Sequence, residues 1–186
     1  MFNINWTAGV YNYMTYVSAN IPIGRYDPAR LANLGLGHQA VDAGAGYTYF
    51  NPQTGNEFSA VLGFTCDFEN ARTQYQNRVD VHLDLAISKF VTKQLQTGAV
   101  GYAYQQISCD TGAGNPAGCF ESRTLGIGPQ IAYVIPMGNL QGYLNLKGYK
   151  DFDAENRASG WSAWLTFAIS PAALTETPPK APIIRK

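Results

Sequence analysis

Val79 to Val91 reads Val-Asp-Val-His-Leu-Asp-Leu-Ala-Ile-Ser-Lys-Phe-Val. One set of alternate positions, Val79, Val81, Leu83, Leu85, Ile87 and Val91, is aliphatic and is broken only by Lys89. The other set, Asp80, His82, Asp84, Ala86, Ser88 and Phe90, is mostly small or polar. A strand sends successive side chains to opposite faces, so this order gives two chemically distinct faces; a helix would scatter both sets around its circumference. The run is long for a strand of a globular protein, where about five or six residues is usual. Length and alternation together restrict this part of the chain to extended, two-faced sheet.

The same pattern recurs. Phe58, Ala60, Leu62, Phe64, Cys66 and Phe68 alternate with Glu57, Ser59, Val61, Gly63, Thr65 and Asp67. Leu125, Ile127, Pro129, Ile131, Tyr133 and Ile135 form one set over 124–135, and Trp161, Ala163, Leu165, Phe167 and Ile169 another over 160–169. Four further segments fit with less contrast: 3–19, 38–50, 97–107 and 140–150. The expectation is an all-β, antiparallel, up-and-down barrel of about eight strands over residues 1–169. A proline-rich tail over 170–186 should follow, since it cannot join a ladder. Gly126-Ile127-Gly128-Pro129 should bend or bulge its strand.

The connections between these segments alternate long and short along the whole chain. A meander places every other connection at the same end, and outer-membrane barrels carry long loops outside and short turns within. Strands of about nine to eleven residues also suit a tilted membrane crossing. The charges gather in the long connections, as at Arg25, Asp27, Arg30, Arg72, Arg78, Asp110, Glu121 and Arg157, and leave the aliphatic faces nearly bare. Tyr11, Tyr13, Tyr16, Tyr47, Tyr49, Trp161 and Trp164 lie near segment ends and read either as an interfacial girdle or as ordinary strand aromatics. A soluble, lipocalin-type barrel would show the same alternation with its aliphatics turned inward, so the faces alone leave both arrangements open.

Composition excludes several classes. Lys and Arg number 13 and so do Asp and Glu, which gives no basic field and argues against a nucleic-acid partner. The residues Met1-Phe2-Asn3-Ile4-Asn5-Trp6 lack the charged and apolar regions of a secretory signal, as in a cytosolic, mature or truncated chain. No nucleotide motif and no zinc-ligand spacing occurs, so neither a cofactor nor a metal is expected. Cys109 and Cys119 flank a Gly- and Pro-bearing loop and are either a disulfide or two thiols; Cys66 lies in an apolar run and reads as a small hydrophobe.

Asp80, His82 and Asp84 share one face, joined by Asp67 and Thr65 on the preceding strand, and Glu69 is expected to face the same way. They read as a polar patch lining a lumen or as structural polar residues paired with Lys147, Arg123 or Arg78. Tyr102, Tyr104, Gln105 and Gln106 offer aromatic stacking and amide hydrogen bonds to a ligand, or packing. A hydrolase would take His82 as base and Ser59 or Ser88 as nucleophile; no Gly-x-Ser-x-Gly elbow supports it, and catalysis is not expected.

Several motifs carry a resemblance. Pro22-x-Gly24-x-Tyr26-Asp27, Asn33-Leu34-Gly35, Tyr49-x-Asn51-x-x-Thr54-Gly55-x-Glu57 and Glu69-Asn70-x-x-Thr73-x-Tyr75 come first. Gly101-Tyr102-x-Tyr104-Gln105-Gln106, Gly126-x-Gly128-Pro129-Gln130 and Glu155-Asn156-Arg157-x-x-Gly160 follow. In this order they resemble the outer-membrane family called "MetA-pathway of phenol degradation", over about residues 3–170. The resemblance implies a β-barrel in the outer membrane of a Gram-negative bacterium, with lipid around it. It also implies passive transport or binding of small hydrophobic or aromatic compounds, or else a non-transporting, structural or lipid-binding barrel. Family members are longer, with extra strands before this region, which implies that the chain is the C-terminal two-thirds of a larger barrel.

Overall fold

The computed structural model describes residues 1–30, 32–115 and 118–172. They form nine strands: β1 (Phe2–Ala8), β2 (Tyr11–Asn20), β3 (Ala40–Asn51), β4 (Asn56–Asp67), β5 (Val79–Phe90), β6 (Leu95–Gln106), β7 (Arg123–Met137), β8 (Leu140–Glu155) and β9 (Trp161–Pro171). Each pairs antiparallel with its neighbour in sequence, in one sheet of order β1 to β9, curled into a half-barrel. Among the described residues no helix interrupts it.

The expected eight strands are nine because 3–19 is a hairpin, not one strand. Gly9 takes a φ of 65° and turns the chain between Ala8 and Tyr11, a geometry that a tight two-residue turn requires and glycine supplies without strain. Gly138 does the same between β7 and β8. The long connections 21–39, 68–78, 107–122 and 156–160 all lie at one end, and the short ones 9–10, 52–55, 91–94 and 138–139 at the other. The length alternation thus extends to the added hairpin. β8 runs on to Glu155, past the expected boundary near 150, and β9 continues to Pro171; the rest of the proline-rich stretch, 173–186, lies outside the described residues.

Register fixes the two faces. Val81 opposes Phe64 and Gln105, Leu83 opposes Leu62 and Ala103, and Leu85 opposes Ala60 and Gly101, all on the outer face. Phe64, Leu62, Ile87, Ile131, Leu146 and Leu165 are exposed there. On the inner face Asp80, Ser88, Gln96, Gln106, Gln130 and Asn145 are buried, and Gln106 is 1% exposed. The aliphatics point outward and the polar residues inward, the reverse of the lipocalin-type arrangement.

Pro129 leaves a gap in the β7–β8 ladder between Ile127↔Lys150 and Gln130↔Lys147, yet the register resumes unshifted. The bulge lies instead between Arg123 and Leu125, where Asp153 on β8 has a positive φ. A missing N–H interrupts the pairing without adding a residue, and only an added residue shifts a register.

Candidate functional site

The inner face is layered from one end of the strands to the other. At the short-connection end, the Gln96 amide donates to Glu57 (2.9 Å) and to Ser88 (2.6 Å), and the Tyr143 hydroxyl donates to its carbonyl oxygen (2.9 Å). Asn145 donates to Tyr143 (3.1 Å). Ser59 bonds Thr48 and Glu57. The two serines considered as nucleophiles are therefore engaged here, away from His82.

The middle layer is built around His82. Its Nε2 lies 3.0 Å from Asp42 Oδ2 and its Nδ1 lies 3.3 Å from Asp84 Oδ2. An imidazolium, with two N–H groups, satisfies both carboxylates, whereas a neutral ring has one. Thr65 donates to Asp42 (2.8 Å), and the Tyr16 hydroxyl is 3.4 Å from Nε2. This packing depends on Gly44 and Gly63: a Cβ on Gly44 would meet the Tyr16 ring and one on Gly63 both Tyr16 and His82.

At the long-connection end, Asn77 donates to Asp80 (2.9 Å) and lies 3.4 Å from Asp67, whose other oxygen meets His38 Nε2 at 3.1 Å. The Gln106 amide donates to Asp110 and to the Asn77 and Ser108 carbonyls. Gln76 and Thr111 exchange backbone bonds, tying connections 68–78 and 107–122 together. Burial first and the neighbouring Asp110 carboxylate second push the Tyr75 hydroxyl above its ordinary range. Cys109 and Cys119 are bridged, and Cys66 is a free, exposed thiol on the outer face of β4.

Two cavities open along the inner face. One, of about 600 Å³, is lined by His82, Asp84, Tyr102, Tyr104, Lys147, Tyr149, Arg157 and Trp164 among others. The second, of about 430 Å³, is lined by Met14, Tyr16, Asp42, Val61 and again by His82, Asp84, Lys147 and Tyr149. The two cavities share these four residues. Tyr102 donates to Asp151 (2.6 Å) and meets Tyr149 edge-on at 5.5 Å. Its ring occupies the space that a Cβ on Gly126 would need.

Several sequence expectations change here. Asp80, His82, Asp84, Asp67, Tyr102, Tyr104 and Gln106 do share the inner face, but Gln105 faces out opposite Val81 and Arg123, because neighbours on a strand cannot share a side. Glu69 lies beyond the end of β4. No Lys or Arg lies within ion-pair distance of Asp80 or Asp84 among the described residues; Arg123 sits on the outer parity and pairs with Asp153 and Glu155. Tyr16 and Trp164 line cavities, whereas Tyr11, Tyr13, Tyr47 and Tyr49 form an outer aromatic cluster with Trp6 and Phe58. Sequence reasoning missed Asp42, Tyr149 and Arg157. Asp42 and Tyr149 each lie at an inward parity, and Arg157 comes from a connection with no periodicity to place it.

One comparison with known proteins is informative: the family described as "Putative MetA-pathway of phenol degradation" matches residues 1–167. No curated protein and no solved structure matches the chain.

Proposed function

Because the chain belongs to the family of the MetA-pathway of phenol degradation, we propose that its sheet is the wall of an outer-membrane β-barrel that gives small hydrophobic or aromatic molecules passive passage or a binding place. The carrying observation is the inversion of the faces, aliphatic outside and hydrogen-bonded polar inside, around two cavities that meet at His82, Asp84, Lys147 and Tyr149. Lipid is the solvent that suits the outer face, and an apolar band about 25 Å tall is typical of such barrels. The Cys109–Cys119 bridge suits an oxidising compartment outside the cytoplasm.

The reading carries one structural requirement. β1 and β9 are edges of the sheet, and in a bilayer core every backbone polar group needs a partner. In this reading the free edges of β1 and β9 need strand partners in the membrane. Flux in this reading follows the solute gradient, and no catalytic step is required.

A second reading is favoured by one observation. Gln96, Gln106 and Asn145 are almost fully buried, so part of the interior is filled, as in a structural or lipid-binding barrel that transports nothing. Reconstituted liposomes separate the two. Entry of phenyl glucoside, an aromatic solute too polar to cross bare lipid quickly, should exceed that of empty vesicles. Asp80→Asn combined with Asp84→Asn should change the rate while assembly is retained. Entry no faster than in empty vesicles favours the filled barrel, and a chain that is monodisperse in plain buffer removes the membrane reading altogether.

A further inference from the structure

We propose that the larger cavity is a site for an aromatic oxyanion, a ring bearing a carboxylate or a sulfonate, and that Arg157 and Lys147 hold its charge. The proposal rests on the lumen reading above and names the ligand chemistry of that lumen.

Three observations converge. The first is which charges around the cavity are already spent. The lining presents one carboxylate, Asp84, against Lys147, Arg157 and His82. Asp84 Oδ2 lies 3.3 Å from His82 Nδ1, and Asp42, from the second cavity, meets the other ring nitrogen at 3.0 Å. Asp151 has both oxygens taken, one by the Tyr102 hydroxyl (2.6 Å) and one by the Gly160 N–H (3.0 Å). Lys147 and Arg157 have no such partners: among the described residues, neither makes a hydrogen bond or an ion pair. Cations that line a cleft without a counter-charge of their own favour an anion there.

The second is the posture of Arg157. It leaves the 156–160 connection and lays its guanidinium over the Tyr104 ring, 4.6 Å from the centroid. A ring contact uses the face of the guanidinium and leaves its in-plane N–H groups unspent. Those groups form the fork that takes an oxyanion through two parallel hydrogen bonds. The ring also holds the fork in place, so less side-chain freedom is lost when an anion binds.

The third is the remaining wall. Tyr102, Tyr149 and Trp164 add further rings around the same space, and Tyr102 and Tyr149 meet edge-on at 5.5 Å. Rings with a few placed polar donors are the usual make-up of a small-molecule site, and about 600 Å³ accepts a substituted benzene ring. Asp84 gives only one oxygen to His82, and its side chain is 55% exposed. It therefore repels an anion from its own part of the wall and directs the charged group toward Arg157 and Lys147.

The test uses the full chain in detergent at low salt and three probes: benzenesulfonate, phenyl glucoside and benzyltrimethylammonium. Isothermal titration calorimetry should show benzenesulfonate binding about tenfold tighter than the neutral or the cationic probe. Raising the salt should reduce that preference. Arg157→Gln and Lys147→Met should each weaken benzenesulfonate several-fold, and the double variant should abolish the preference while strand content by circular dichroism is retained. Arg157 lies exposed in a connection, so its variants test the site even where Lys147→Met disturbs the wall. Arg157→Lys, which keeps the charge and loses the fork, should fall between the native protein and Arg157→Gln. Phenyl glucoside or benzyltrimethylammonium binding as tightly as benzenesulfonate overturns the proposal, as does undiminished benzenesulfonate binding in Arg157→Gln and in the folded double variant. Liposome flux then separates this from the underlying reading. Selective binding with no probe crossing leaves the anion site standing and removes passage. Equal crossing of all three, with no binding preference, removes the site and leaves passage.

Discussion

The outer and inner faces of the sheet are built from the same strands in strict alternation, yet almost nothing holds them by the same means. Leu62 and Leu83 oppose each other on the outside, among other apolar side chains that no layer of the described residues covers. One residue along, Gly63 and His82 oppose each other on the inside, where His82 is fixed by two carboxylates and a tyrosine hydroxyl. The outer face depends on what surrounds the protein. The inner face depends on hydrogen bonds that the protein makes with itself, and leaving one of these unmade costs more than the bond contributes.

The largest expected effect breaks the outer face. Leu62 lies in the middle of β4, on the exposed apolar side. In a bilayer, Leu62→Lys should cost about 2–4 kcal/mol, the range for a lysine at the midplane of a barrel wall. On a water-facing surface the same change would be within about 0.5 kcal/mol of neutral. Urea titration of refolding into lipid vesicles measures it, and an unchanged midpoint would mean that this face meets water.

The next effect breaks the inner face from within. Asn145 is 2% exposed and donates to Tyr143 and to Gln130 (3.4 Å). Asn145→Leu keeps the volume and orphans the Gln130 carbonyl in a buried place, which should cost about 1–3 kcal/mol. The same titration reads this, and a gain in stability would show that the network is dispensable.

How far the two faces were legible in the sequence follows from these particulars. Alternation over 79–91 assigned every residue of β5 to a face, because a period of two is rigid. It could not say which face was inner, since lipid-facing and core-facing aliphatics look alike. The fold settles it, with Val81 and Leu85 turned to the outer face. The hairpin at Gly9 was hidden because Gly-Val is a weak turn signal and the aromatics on either side continue the apparent pattern. Chemistry groups Gln105 with Tyr104 and Gln106, but parity turns it to the other face. Tyr16 and Trp164 sit near segment ends with the outer aromatics, and only parity turns them inward. Lys147 was available as a partner, but the acids found His82 and Asn77 first, and these contacts join strands and loops distant in sequence. Arg157 belongs to a connection whose path no periodicity describes.

Glycines sharpen the comparison at a similar or smaller cost. Gly126 lies inside, where a Cβ would collide with the Tyr102 ring, while Gly148 lies outside with nothing within 4 Å of the Cβ it would gain. Gly126→Val should cost about 1–3 kcal/mol by forcing Tyr102 off its rotamer and away from Asp151. Gly148→Ala should stay within about 0.5 kcal/mol of neutral. Equal costs at the two sites would mean that backbone entropy, which is common to both, outweighs the packing that distinguishes them.

The smallest effect asks how far the inner network extends beyond the strands. Tyr75 sits in connection 68–78, between Asn70 and the Gln76–Thr111 bridge, with its hydroxyl held neutral by burial and by Asp110. An acid whose folded pKa is raised favours its protonated form in the native state. Its contribution is therefore complete below the unfolded value, about 10, and is lost as the pH rises from there toward the folded value. Limited proteolysis at pH 9 and pH 11 should show connections 68–78 and 107–122 becoming more susceptible in the native protein. The Tyr75→Phe variant, which has no hydroxyl to ionise or to face Asp110, should start more susceptible at pH 9 and change less between the two. Comparing the two proteins at each pH cancels the alkaline response of the protease and of the Cys109–Cys119 bridge. Parallel profiles for the two would place Tyr75 outside the network and end the inner layer at Gln106.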